Sequence, residues 1–127
     1  MMKVMKQFSI YLPNKPGELK KLLHKVKGLN LNAAATFASR DGAIMRLVPE
    51  DPGSFQSILK KDGVAFDRQD VLMVSVADRA GGLLKILAKL QQAHVNIEGL
   101  YILGGQTGDA MCVIQADDVK GAQKALA

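Results

Sequence analysis

Leu12-Pro13-Asn14-Lys15-Pro16-Gly17-Glu18-Leu19 (LPNKPGEL) joins an alternating apolar run to a helical one. It returns in altered form 64 residues later as Val76-Ala77-Asp78-Arg79-Ala80-Gly81-Gly82-Leu83. The same offset lays Ile10, Leu22, Leu23, Val26, Leu31 and Asn32 onto Val74, Ile86, Leu87, Leu90, Val95 and Asn96. Self-similarity at a fixed offset marks a duplicated structural unit, and here the unit is half the chain.

Outward from the turn, each half reads in the same order. Strand-like runs Gln7–Leu12 and Val71–Val76 lead through the turns into helices expected over Pro16–Gly28 and Gly81–Ala93, with Pro16 at the first helical position and Gly28 just past the end. Two hairpin strands follow, Leu31–Ser39 and Ala43–Pro49 across Arg40-Asp41-Gly42, then Val95–Leu103 and Ala110–Ala116 across a longer, flexible loop, Gly104–Asp109. A second helix starts at Asp51-Pro52 in one half and at Asp117-Asp118 in the other, where acidic residues suit the positive helix end. Val64-Ala65-Phe66-Asp67 supplies a fourth strand to the first half, giving strand-helix-strand-strand-helix-strand. The second half has no residues left for one. In repeat register, Met1–Val4 fall onto Ala65–Arg68, so the segment Met2–Met5 is expected to complete the second unit's sheet. The division read from this is 1–68 for the first domain and 69–127 for the second, in an α+β fold.

Composition narrows the classes of function. The chain has 127 residues, 48% of them hydrophobic, enough for one ordinary domain or two small ones. With no long apolar run and no signal-peptide core, a soluble cytoplasmic protein is expected, without membrane insertion. The single Cys112 lies in an apolar run and reads as a buried small hydrophobe, not as part of a disulfide or metal site. The formal charge of +5 sits in the first half, where residues 1–64 carry 11 Lys/Arg against 5 Asp/Glu; residues 65–127 carry 6 against 7. Lys21 and Lys25 share a helical face with Glu18, opposite Leu19, Leu22, Leu23 and Val26, which describes a solvated amphipathic helix. No nucleophile with a base, no paired carboxylates and no metal-ligand cluster can be assembled, so neither catalysis nor a metal nor a cofactor is expected. Nucleic-acid binding is disfavoured: RNA-stacking sheets need exposed aromatics on neighbouring strands, and of Phe8, Tyr11 and Phe37 the first belongs to the inward set with Ile10 and Leu12.

The turn itself has chemistry to offer. A helix start presents unpaired N–H groups and a partial positive charge, suited to a carboxylate. Gly17 and Gly81-Gly82 let backbone approach a ligand, and Asn14 and Asp78 can accept hydrogen bonds from an ammonium group. A free α-amino acid carries both partners. The same residues also make an ordinary turn.

LPNKPGEL, the exit Gly28-Leu29-Asn30-Leu31-Asn32, and Ile44-Met45-Arg46-Leu47-Val48 followed by Asp51-Pro52 resemble the ACT domain family. The second copy, Ala77–Leu83 with Val95-Asn96-Ile97, resembles it too, so the resemblance spans nearly the whole chain and points to small stand-alone proteins of two ACT domains. It implies two ferredoxin-like units side by side, antiparallel sheets with helices on one face, and regulatory amino-acid binding at the first strand-to-helix loop near an interface. It assigns ligand contacts to Asn14, Lys15, Pro16, Gly17 and Leu19 in one loop and to Asp78, Arg79, Gly81 and Leu83 in the other, where Gly82 is added for its open backbone, with Asn32 and Asn96 facing the same pocket. Ala80 departs from the family's proline and leaves the second loop less rigid. A homodimer is expected, and a partner enzyme such as acetolactate synthase is a further implication.

Overall fold

The structure, a computed structural model, describes residues 2–104 and 108–127, arranged as two compact units. One comprises Lys6–Gln69; the other joins residues 2–5 to Asp70–Ala127. Among the described residues no helix is long and apolar enough to cross a membrane.

In the unit 6–69 the elements are β1 (Met2–Leu12, from Lys6 onward), α1 (Glu18–Lys25), β2 (Leu31–Ser39), β3 (Gly42–Pro49), α2 (Pro52–Lys61) and the start of β4 (Asp67–Ala77). The strand order is β2-β3-β1-β4. β3 pairs antiparallel with both neighbours, Phe8 facing Leu47 on one side and Phe37 facing Ile44 on the other. Alternation then sorts the side chains. Phe8, Ile10, Met45 and Leu47 meet Leu22 and Val26 of α1 and Phe55 and Leu59 of α2 in one core, and Ser9, Tyr11, Ile44 and Arg46 take the opposite face.

Two expectations are corrected here. The first helix starts at Glu18, not Pro16, because Gly17 adopts a left-handed conformation (φ 87°) as the N-cap and leaves Pro16 in the turn. It ends at Lys25 with Val26 as the C-cap, before Gly28. The second correction concerns Val64–Asp67, since the strand begins only at Asp67. The Val64 N–H instead donates to the Leu59 carbonyl at the end of α2 (2.9 Å), and Phe66 packs its ring 5.4 Å from Phe8. α2 starts as expected: Asp51 accepts hydrogen bonds from the Ser54 hydroxyl (2.7 Å) and N–H (3.1 Å), which hold its carboxyl below its usual range.

The second unit contains residues 2–5 of β1, β4 from Asp70, α3 (Gly82–Gln92), β5 (Ile97–Leu103), β6 (Asp109–Ala116) and α4 (Val119–Leu126), in strand order β1-β4-β6-β5. Leu72, Val74, Val76, Cys112 and Ile114 from the sheet pack with Ile86 and Leu90 of α3 and Ala122 of α4. Burial pushes the Cys112 thiol up to about 11, so it stays protonated and apolar in character at neutral pH. β5 starts at Ile97, later than the expected Val95, whose N–H donates to the Leu90 carbonyl (3.0 Å) and whose side chain joins the core. Residues 105–107 of the expected hairpin loop lie outside the described residues. Met2 packs against this unit's core. Deletion of residues 1–5 is therefore expected to lower stability by about 2 kcal/mol, read as a drop in the urea midpoint; an unchanged midpoint would show that the segment contributes nothing to that sheet.

Candidate functional site

The loop after β1 is short and exposed. The Lys15 N–H donates to the Pro13 carbonyl (3.1 Å) and the Glu18 N–H to the Lys15 carbonyl (3.4 Å), which turns the chain tightly enough for Gly17 to cap α1 in its left-handed conformation. No side chain caps this helix. Asn14, Lys15, Pro16 and Gly17 are exposed, and Leu19 is 38% exposed. The Lys15 and Lys21 ammonium groups both lie near the Glu18 carboxylate, at 3.9 and 3.8 Å.

The loop after β4 repeats the geometry. Gly81 (φ 84°) caps α3 without a side-chain hydrogen bond, and Asp78, Arg79 and Gly81 are exposed. By contrast, α2 and α4 are capped by their own aspartates, Asp51 and Asp118. The first turns of α1 and α3 thus lack the side-chain acceptor that α2 and α4 have, although their first N–H groups, of Glu18 and Gly82, already donate to the Lys15 and Arg79 carbonyls (3.4 and 3.0 Å). Gly82 differs from Gly17 and Gly81. It is buried, and a methyl group there would overlap the Ala77 carbonyl oxygen and sit 3.1 Å from its carbon. Its lack of a side chain serves the close approach of its own chain. Leu83 packs against the second unit's core, so of this loop Asp78, Arg79 and Gly81 face outward.

Asn32 and Asn96 are not brought to these loops within their own units. β1 and β2 are both antiparallel to β3 and so run the same way, which puts the start of β2 at the opposite end of the sheet from the end of β1. Leu12 faces Ala43 and Leu31 faces Pro49, six residues farther along β3, or about 20 Å. Asn96 precedes β5, where its N–H donates to Asp117 Oδ1 (2.9 Å) and its carbonyl accepts from the Asp117 N–H (3.0 Å).

What does meet the first loop is the β2–β3 hairpin. Gly42 lies so close to the end of β1 that a methyl group on it would stand 2.9 Å from the Leu12 carbonyl oxygen. Between them opens a groove of about 510 Å³, with Tyr11, Pro13, Ser39, Asp41 and Ile44 among its walls. Tyr11, 63% exposed, donates its hydroxyl to Asp67 Oδ2 (3.2 Å). Cross-strand pairing sets Tyr11, Ile44 and Phe37 in one row on the face away from the helices, and Phe37 is 47% exposed. The period-2 alternation that placed Phe8 inward carries the signal for this row; the groove depends on a hairpin partner 30 residues away, which spacing alone does not reveal.

Comparison with proteins of curated function found no match. Among solved structures, protein BT0572 from Bacteroides thetaiotaomicron superposes with a TM-score of 0.89 at 29% identity, covering 98% of this chain and 88% of that one. The ligand-free regulatory subunit of aspartate kinase from Thermus thermophilus superposes at 0.71 with 14% identity (98% and 93% covered), and that from Thermus flavus at 0.70 with 15% (99% and 93%). A family model described as an ACT domain pair matches residues 2–126. With that match running almost end to end, and two ferredoxin-like units beneath it, the chain belongs to the ACT domain pair family.

Proposed function

We propose that this ACT domain pair is a non-catalytic regulatory sensor that binds a free amino acid at the loops after β1 and β4. One observation carries the reading: left-handed, uncapped glycines, Gly17 and Gly81, open the helix after the first strand of each repeat. In this reading each sequence half, 1–68 and 69–127, supplies one domain, except that residues 2–5 belong to the second unit. The α-carboxylate lies against the first-turn N–H groups, and Asn14 or Asp78 accepts from the ammonium. Lys15, Pro16 and Leu19 shape the first site; Arg79, Gly82 and Leu83 shape or support the second. Asn32 and Asn96 enter such a site only from a neighbouring domain, consistent with the homodimer we propose as its setting.

Likeness to the regulatory subunit of aspartate kinase favours a second reading, in which the ligand signal passes to a partner metabolic enzyme. The mechanism is the same in both: a ligand bound better by one domain arrangement shifts the population toward it. RNA capture is the weaker alternative, because Phe8 is fully buried and Arg46 already sits over the ring of Phe37.

A thermal-shift screen against the twenty amino acids tests the proposal. One chemical class is expected to raise the midpoint by several degrees, since ligand at 100 times its dissociation constant adds roughly 2.7 kcal/mol. Asn14→Ala and Gly17→Val are expected to abolish the shift contributed by the first loop. A shift left unchanged in size by both changes would remove that loop from the site.

A further inference from the structure

Arg46 stands on the central strand β3, opposite Ser9 on β1 and Ala35 on β2, on the face turned away from the helices. Its Nε is buried with no hydrogen-bond partner, and no ion pair to it is found among the described residues. Its guanidinium carbon lies over the ring of Phe37, 5.5 Å from the centroid. Phe37 is the diagonal neighbour, one row closer to the hairpin. The charge therefore leans toward the row Tyr11–Ile44–Phe37, and Tyr11 and Ile44 are also walls of the groove. Asp67 accepts from the Tyr11 hydroxyl, and a second carboxylate, Asp41, stands at the hairpin end of the groove.

A buried guanidinium N–H with no acceptor is costly unless a partner arrives. The planar fork favours a carboxylate, which it can engage with two parallel hydrogen bonds, and the Phe37 ring lies beneath it. The groove, which shares Tyr11 and Ile44 with the row next to Arg46 but is not lined by Arg46 itself, falls within the size range of small-molecule sites. We propose that the unit 6–69 carries an anion site, separate from the loop after β1, in which Arg46 on its Phe37 platform receives the carboxylate of a small molecule whose apolar body lies over Tyr11 and Ile44. The site uses only residues of this unit and stands whether or not the loop binds an amino acid.

The test is a titration of the full chain with 4-phenylbutyrate, and in parallel with 4-phenylbutan-1-ol, which has the same apolar body without the charge. The readout is the NMR resonance of the Arg46 Nε–H, assigned with Arg46→Lys. The carboxylate is expected to move it saturably, and the alcohol to bind at least about tenfold more weakly. Arg46→Gln should remove carboxylate binding and Phe37→Ala should weaken it, with Asn14→Ala leaving it unchanged. Unaltered thermal midpoints identify variants that remain folded, and the titration of the unmodified chain does not depend on them. A resonance unmoved by the carboxylate, or moved equally by the alcohol, overturns the proposal. So does a concentration-dependent dimer in sedimentation that Arg46→Gln abolishes, because the face would then belong to a second copy.

Discussion

Phe8→Ala is expected to lower the stability of the protein by about 3–5 kcal/mol. Phe8 lies at the centre of the core of the unit 6–69, fully buried, with the ring of Phe55 at 4.8 Å and that of Phe66 at 5.4 Å, both tilted as aromatic pairs prefer. It also carries the Arg68 guanidinium on its ring at 5.7 Å, and that arginine reaches Gln56 through a hydrogen bond from Nη1. Truncation thus leaves a cavity bounded by α2, by the segment leading into β4 and by β1 itself. The surroundings are two rings and fully buried leucines, Leu47 and Leu59, and such a packed site collapses only partly. Phe37→Ala is the control. Its ring is half exposed on the other face, and the same change there should cost less than about 1 kcal/mol. Denaturant midpoints for the two variants decide the matter; equal losses would mean that the alternation of faces along these strands is wrongly assigned.

That alternation is also why so much of the fold was legible. β2 runs Leu31–Ser39, as the Asp-Gly hairpin signal and apolar run required, and Asp51 caps α2 where an acidic residue before proline marks a helix start. The 64-residue offset predicted that position 81 should behave as position 17 does, and both glycines cap helices at nearly equal positive angles. Less legible was anything decided by partners distant in sequence. Residues 2–5 join the second unit, as the repeat register indicated, but the sequence did not show that this segment and Gln7–Leu12 form one unbroken strand, β1, because strand pairing and not local preference sets its extent. Val64–Phe66 has strand composition but is used as a connection whose aromatic ring fills the core. Asn32 and Asn96 are kept from the loops of their own units for a topological reason. A strand-helix-strand crossover returns the chain to the end of the sheet from which it started, so residues opening the second strand lie a strand length from the loop closing the first. The groove and Arg46 were outside the reading altogether, since the walls come from β1 and a hairpin about 30 residues later.

Gly82→Ala is the second change with a large expected effect, and it separates two glycine roles that one motif contains. Read as sequence, Gly17, Gly81 and Gly82 all occupy the same turn chemistry. Their geometry differs. Gly17 and Gly81 have positive φ with nothing near the place of a side chain, so alanine there incurs only the left-handed penalty, about 1 kcal/mol. Gly82 has ordinary helical geometry but no room: its methyl group would overlap the Ala77 carbonyl oxygen, and the neighbour is backbone at the end of β4, not a side chain that can rotate away. Relief requires α3 to move off the strand, and α3 holds Ile86 and Leu90 in the second unit's core. A loss of about 3 kcal/mol is therefore expected, or about 10 °C in the thermal midpoint, against a few degrees for Gly17→Ala or Gly81→Ala. If instead Gly82→Ala proved as mild as the other two, the tight approach of α3 to β4 would be wrong, and Gly82 would return to the set of residues that face a ligand. If the expected order holds, binding assays on Gly17 and Gly81 variants report on the loops as sites with the fold left intact, which Gly82 variants cannot do.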